Sequence, residues 1–373
     1  MKPLNPLLYL KNNFKSALPI FLSLTFGVFF IYIFALFSAT TDKMIRVASF
    51  DVMEKYNVAY TNDYCALPPL FLEELKSINE SDMIAVQMNL SGLAYYRGGM
   101  GGTTMHTFNV FEEDTLTLLD SYGIELTEGK LPQNNKNEIL VPREYALQNH
   151  LNVGDSIGSK VSDEYTLQGK YRICGLTEGE VVFAVSCQPG NKTKEDVMSR
   201  GIMYRVNNLS SAEQKRLIDS LPDNVVTLTH DYYEQEYAIT LNSMQLLTYI
   251  LTAVMVIILC IALGNLNVIL FANRCDELTI LHSVGYTKGK LSRKLLMENV
   301  LVCLSGYIAG IGLTEIVVCL INVIILYPQG KVLELISLQG MIVALSMPVF
   351  ISIFSLLPCL ISNFRSMNTL GRN

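Results

Sequence analysis

Four apolar runs constrain this chain more than any motif in it. One lies near the N-terminus, from about Ala17 to Ala39, and three crowd the last third, at Met244–Phe271, Asn299–Leu326 and Ser337–Ile361. Each is long enough to cross a hydrocarbon core of about 30 Å at a rise of about 1.5 Å per residue. Between the first and second runs lie about 200 residues of mixed, charged sequence with the composition of an ordinary folded domain. Half of the 373 residues are apolar. The pattern predicts a 1 + 3 arrangement of membrane helices with one large domain on a single face. A cleaved signal peptide ending near Ser38-Ala39-Thr40 is the other reading of the first run, but an apolar core of roughly 7–15 residues is usual there, and this one is longer.

Charge assigns sides. Residues 41–240 carry 17 Lys/Arg against 29 Asp/Glu, a net charge of −12, while the remainder is +6 within a total of −6. The basic residues flank helix ends: Lys2, Lys11 and Lys15, then Arg274, Lys288, Lys290, Arg293 and Lys294, then Arg365 and Arg372. Cytoplasmic loops of membrane proteins are enriched in Lys and Arg, so both termini and the 272–294 loop are expected inside, and the acidic domain outside. The chain then divides into an amphipathic inner-surface helix (1–16), a first span (17–40) and an extracytoplasmic domain with helical stalks (41–240). A second span (244–271), a cytoplasmic loop (272–298), a third span (299–326), a short outer loop (327–336), a fourth span (337–361) and a cytoplasmic tail (362–373) complete it.

The outer domain reads as α/β. Val58–Thr61, Pro69–Ser77 and Met83–Met88 alternate as strand, helix and strand, and Gly201–Val206, Ser211–Ser220 and Val225–Thr229 repeat the unit. Two such units suggest a split ferredoxin-like sheet. The intervening stretch, about 107–190, has the short strands and tight turns of an inserted β-rich subdomain. Of eight cysteines, only Cys65, Cys174 and Cys187 fall outside the spans and their edges, and Cys174 and Cys187 are the pair that could bridge a hairpin.

The search for catalytic chemistry is mostly negative. The four histidines are scattered, no HExxH or GxSxG occurs, and the stretch from Gly285 to Leu291 lacks the spacing and hydroxyl of a phosphate loop. No catalytic residue, bound cofactor or metal site is expected on this chain, and no nucleic-acid partner. Arg97-Gly-Gly-Met-Gly-Gly-Thr-Thr reads as a flexible loop tip or a mobile contact for a substrate or partner.

The 272–298 segment differs from an ordinary basic loop. Arg274-x-x-Glu277, then Ile280-Leu281, Gly285 and Glu298 resemble the signature of FtsX/MacB-like (four-helix, type VII) ABC transporter permeases. Asn137-Glu-Ile-Leu-Val-Pro, Ala146-Leu and Leu151-Asn-Val-Gly-Asp-Ser-Ile resemble the outer-domain pattern of that family, and the 1 + 3 layout agrees. One departure is His282, where the family often has Arg. The resemblance implies that Arg274, Glu277, Ile280, Leu281 and Gly285 shape a docking surface for a cytoplasmic ATPase, which would carry the ATP and Mg. It also implies a second permease copy or paralogue, and an extracytoplasmic adaptor or hydrolase as a further partner. Mechanical coupling across the bilayer would then serve export or clearance of peptide, antibiotic or lipid-linked substrates. An FtsX-like signalling subunit for a cell-wall hydrolase, or a membrane-anchored sensor working without an ATPase, are the other readings.

In the third span, Gly306-x-x-x-Gly310 places two small residues one turn apart, which permits close helix approach within the subunit or across a dimer. Glu315 lies mid-span, where a carboxylate is costly. It reads either as part of a proton or substrate pathway or as a buried group hydrogen-bonded to Asn322. Pro348 and Pro358 are expected to kink the fourth span.

Overall fold

A computed structural model describes residues 14–61, 65–79, 83–99, 101–162, 165–205, 210–272 and 275–354. The chain forms two compact units. A helical unit takes Met1–Ala39, Ser243–Ile321 and Glu334–Asn373, and a sheet unit takes Thr40–Asn242 and Asn322–Leu333.

Long helices Phe14–Ile45, His230–Ala272 and Lys288–Ile321 supply most of the helical unit, with Cys275–Ser283 and Leu338–Phe354 between and after them. Among the described residues, three stretches, Ala17–Phe50, His230–Ala262 and Gly289–Gln329, are long and apolar enough to cross a membrane. Leu338–Phe354 is a shorter apolar helix of 17 residues with Pro348 inside it. The rest of the predicted fourth run, with Pro358, lies outside the described residues, as do residues 1–13 of the predicted surface helix. The sequence reading separates an inner-surface helix ending at 16 from the first span, but one helix runs from Phe14 to Ile45 with Pro19 inside it. In a hydrocarbon setting, continuous helix is the cheapest way to satisfy backbone polar groups, and this outweighs the one bond a proline removes.

The sheet unit contains eleven strands among the described residues. In chain order they are β1 Tyr56–Thr61, β2 Met83–Ala85, β3 Gln87–Tyr95, β4 Thr103–Asn109, β5 Glu125–Gly129 and β6 Glu138–Pro142. β7 Ser156–Ile157, β8 Tyr171–Glu178, β9 Ala184–Ser186, β10 Gly201–Arg205 and β11 Val225–Leu228 follow. One antiparallel sheet has the order β11-β1-β10-β2, the 4-1-3-2 order of a βαββαβ fold. Its helices, Pro69–Asn79 and Ser211–Asp219, bury Phe71, Leu75 and Leu217 against Ala59, Ile202 and Tyr204. Each such side chain contributes roughly 1.5–3 kcal/mol of transfer free energy. The second of these helices starts at Ser210, whose Oγ caps Glu213 N at 3.4 Å while Glu213 returns a carboxylate to Ser210 N at 2.9 Å. That reciprocal box fixes Ser210, not Ser211, as the cap.

Between β2 and β10 the chain builds a second, mixed sheet, β3-β4-β9-β6-β8-β5, with β7 beside β8. β6 is buried along its whole length because it has a partner on both sides. This topology removes the hairpin option for Cys174 and Cys187. Cys174 sits on β8 and Cys187 just beyond β9, with β6 between those strands. Two strand spacings, about 9–10 Å, exceed the Cα separation of about 7 Å that a disulfide tolerates. Both thiols are free and buried. Burial pushes the Cys174 thiol up to about 12 and the Cys187 thiol up to about 11, so neither is a thiolate at neutral pH.

Candidate docking site and its supports

The basic loop folds locally. Cys275–Ser283 is helical, and it ends where Gly285 adopts φ +101°, outside the range side-chain-bearing residues favour. Gly285 N donates to His282 O at 3.0 Å, Tyr286 N to Leu281 O at 3.2 Å, and the His282 Nδ1 lies 2.9 Å from Tyr286 O. The turn is therefore held by three contacts around a glycine. Beyond it, Thr287 O accepts from Lys290 N at 3.0 Å and from Leu291 N at 3.2 Å, and the next long helix begins at Lys288.

This turn sorts the predicted docking residues. Ile280 is 62% exposed and Val284 72% exposed. Leu281 instead packs with Tyr286 and Leu295 against the buried Leu291. Ile280 and Leu281 thus face different ways: one is exposed and the other braces the loop. Glu277 lies on the helix, and Arg274 falls outside the described residues. Glu298 is buried, with its Oε1 3.9 Å from Lys294 Nζ one turn earlier, so it belongs to the support of this loop.

Within the helical unit, Gly306 and Gly310 meet the first helix. A Cβ built on Gly306 would stand 2.9 Å from Leu24 Cβ, and one on Gly310 would stand 2.7 Å from Val28 Cβ and 2.8 Å from Thr25 O. Leu24 and Val28 are fully buried. Gly27 was not singled out from the sequence, yet a Cβ there would meet Met347 Cε at 2.1 Å and Leu259 Cδ1 at 2.5 Å. A lone glycine in an apolar helical run, with its propensity cost of about 1 kcal/mol, was the available signal.

Glu315 is paired with Tyr32 and not with Asn322. Tyr32 Oη, fully buried, donates to Glu315 Oε1 at 2.8 Å and accepts from Ser337 N at 3.4 Å. Asn322 points elsewhere: its Nδ2 donates to Leu333 O at 2.8 Å and its Oδ1 accepts from Leu333 N at 2.9 Å. A side-chain amide can satisfy both groups of one backbone residue, which a carboxylate cannot.

In the sheet unit, the glycine-rich segment is not a loose tip. Arg97 O accepts from Val332 N at 2.6 Å, Gly98 holds φ +117° where a Cβ would stand 3.1 Å from Val332 O, and a Cβ on Gly99 would stand 2.7 Å from Thr41 N, too close for a side chain. Nearby, a pocket of about 360 Å³ is lined by Arg143, Glu144, Leu147, Glu178, Lys331 and Val332 among others.

His106 lies in an aromatic group, 5.9 Å from the Phe108 ring and 5.4 Å from the Tyr233 ring. Its Nε2 is closed off from solvent with no hydrogen-bond partner among the described residues. Burial pulls the imidazole down to about 4. The unfolded chain takes up this proton near pH 6.5, so the stabilisation from a neutral His106 is full above that and disappears as pH falls towards 4. Melts at pH 7 and pH 5 are expected to differ by about 1–2 kcal/mol more in the native protein than in His106→Phe. Equal pH dependence in the two proteins would contradict this.

Among the described residues, three helices long and apolar enough to cross a membrane, with an α/β unit between the first and second of them in sequence, mark a membrane protein. Residues 249–368, about a third of the chain, match the FtsX-like permease C-terminal domain. A stretch of 124 residues, 31% of this chain, is 30% identical to the macrolide export ATP-binding/permease protein MacB of Vibrio parahaemolyticus serotype O3:K6 (strain RIMD 2210633). That match spans 19% of the length of the relative. Among solved structures, the extracellular domain of the noncanonic ABC-type transporter YknZ from Gram-positive bacteria aligns with 47% of this chain and 100% of its own, at 10% identity and a TM-score of 0.27. A permease-protein domain from Porphyromonas gingivalis aligns with 48% of this chain and 91% of its own, at 13% identity and a TM-score of 0.26.

Proposed function

We propose that this chain is the membrane subunit of an ABC transporter in which a cytoplasmic partner, carrying ATP and Mg, docks on the loop around Cys275–Ser283. The observation that carries the reading is the pairing of exposed Ile280 and Val284 with a turn locked at Gly285, inside the segment matched to the FtsX-like domain. Exposed apolar side chains on a short, well-braced helix suit a partner groove, and the charge at Glu277 sets the register. The partner's hydrolysis cycle moves the 272–298 loops of two permease chains, a second copy or a paralogue. The long helices Phe14–Ile45 and His230–Ala272, which lead into the sheet unit, carry that motion across the bilayer. The sheet unit then acts outside, in export or clearance of peptide, antibiotic or lipid-linked substrates.

Two measurements test this. Co-purification of the ATPase subunit with Glu277→Lys and Gly285→Pro is expected to drop at least tenfold; proline cannot adopt the positive φ of Gly285. Undiminished association removes the docking assignment. Sidedness is read from Cys65, which is exposed, whereas Cys174 and Cys187 are buried. A membrane-impermeant maleimide is expected to label Cys65 in intact cells and to lose that signal in Cys65→Ser. Labelling of Cys65 only after cell lysis would place the sheet unit inside and end the proposal.

A further inference from the structure

The segment Asn322–Leu333 joins two apolar helices in sequence, yet it folds as part of the sheet unit. Gln148 holds it there. The Gln148 Nε2 donates to Gly330 O at 3.0 Å and to Tyr96 O at 2.5 Å, while its Oε1 accepts from Tyr96 N at 3.2 Å. Both amide hydrogens and the carbonyl are thus engaged, one of them on the joining segment and two on the end of β3. A second bond runs from Val332 N to Arg97 O at 2.6 Å. The fit is tight on the joining side: Gly330 has φ +65°, and a Cβ there would meet Glu144 O at 2.5 Å and Leu147 Cβ at 2.8 Å. Asn322 closes the segment on itself by its two bonds to Leu333.

We propose that Gln148 is a coupling residue. It makes Asn322–Leu333 a third mechanical tie, so that displacement of the sheet unit is passed to the helices Lys288–Ile321 and Leu338–Phe354 as well as along the two long helices that enter the unit. A hydrogen-bonded tie transmits load because its bonds break together, and a side-chain amide with all its valences used is stiffer than a single contact. Glu144, one turn earlier on the same short helix, Arg143–Gln148, accepts from Tyr95 Oη, which fixes that helix to the end of β3. This tie extends the transport reading, but its geometry stands without an ATPase.

The test is amide hydrogen exchange on the full-length protein in lipid nanodiscs, comparing native protein with Gln148→Ala. Loss of three hydrogen bonds at once is expected to speed exchange at Val332 about tenfold or more. Met341 N, which donates to Ser337 O at 2.9 Å at the start of the last apolar helix, is expected to exchange at least threefold faster as well. Ile173 N, bonded to Asp155 O at 2.8 Å elsewhere in the sheet unit, should not change. An unchanged Val332 overturns the tie, and a faster Val332 with an unchanged Met341 overturns the transmission. Should Ile173 also quicken, Gln148→Met, which keeps the length and loses every bond, is judged by the same two amides. ATPase co-purification is expected to survive both variants, which separates failure here from failure of docking.

Discussion

Replacing Gly310 with leucine is expected to destabilise the helical unit by about 3 kcal/mol, the upper end of what overpacking costs. The reason is where the new atoms must go. A Cβ at this position already stands 2.7 Å from Val28 Cβ and 2.8 Å from the backbone oxygen of Thr25. A flexible side chain could swing aside, but a helix backbone with its own hydrogen bond cannot, so the two helices must separate. Separation exposes Leu24 and Val28, both fully buried. Gly312, two residues on, has nothing within 4 Å of a built Cβ. Gly312→Leu should therefore melt within about 0.5 kcal/mol of the native protein, as for substitutions without buried consequences. Thermal melts of both variants in one detergent decide the matter. Equal destabilisation would mean that helix propensity, not close approach, sets the requirement for glycine.

Asn322→Leu is expected to cost about 2–6 kcal/mol, from stranding two buried backbone groups at roughly 1–3 kcal/mol each. Asn322 and Leu333 are 1% and 2% exposed, so water cannot replace the lost amide. Asn322→Asp provides the sharper signature. An ionised aspartate still accepts from Leu333 N but sets its other oxygen against Leu333 O. A protonated one donates to that oxygen and restores the native pattern. The aspartate variant should be as weak as the leucine variant at neutral pH and recover part of its stability near pH 5, while the leucine variant does not. Limited proteolysis within 327–336 reports it. Parallel behaviour of the two variants across that range would show that the amide bonds are not what holds this segment.

The sequence reading succeeded where periodicity and composition suffice. Apolar runs of more than twenty residues leave few options besides long helices, and alternation around Val58 and Met203 places them on neighbouring strands of one sheet. One helix start was legible from capping chemistry to within a residue, with Ser210 and Ser211 both eligible, and the carboxylate of Glu213 three residues on decides for Ser210. What was illegible depends on partners distant in sequence. Glu315 and Tyr32 are 283 positions apart, and nothing in either neighbourhood points to the other. The same holds for Gln148 and Gly330, 182 positions apart. Glycines illustrate the ambiguity best. Gly98 and Gly99 resemble a flexible tip by composition, but glycine also serves where two backbones touch, and only the opposite surface distinguishes these uses. For the 275–291 segment, the resemblance to the permease signature singled out Ile280, Leu281 and Gly285 together. The inward turn of Leu281 onto Leu291 depends on the packing of the following helix.

The mixed sheet enters and leaves its host at one point. β2 and β10 are adjacent strands, and Val86 N donates to Gly201 O at 3.1 Å, so about 115 residues depart and return across a single hydrogen bond. Joining such neighbouring ends costs little chain entropy, and lengthening a loop that already starts and finishes there adds only slowly to it. The βαββαβ host can therefore accept a module of different size or surface without re-pairing its own strands. Evolution, or an engineer, can vary what this module presents to its surroundings without re-pairing the host strands, provided the bonds from Gln148 and Arg97 to the 322–333 segment are kept.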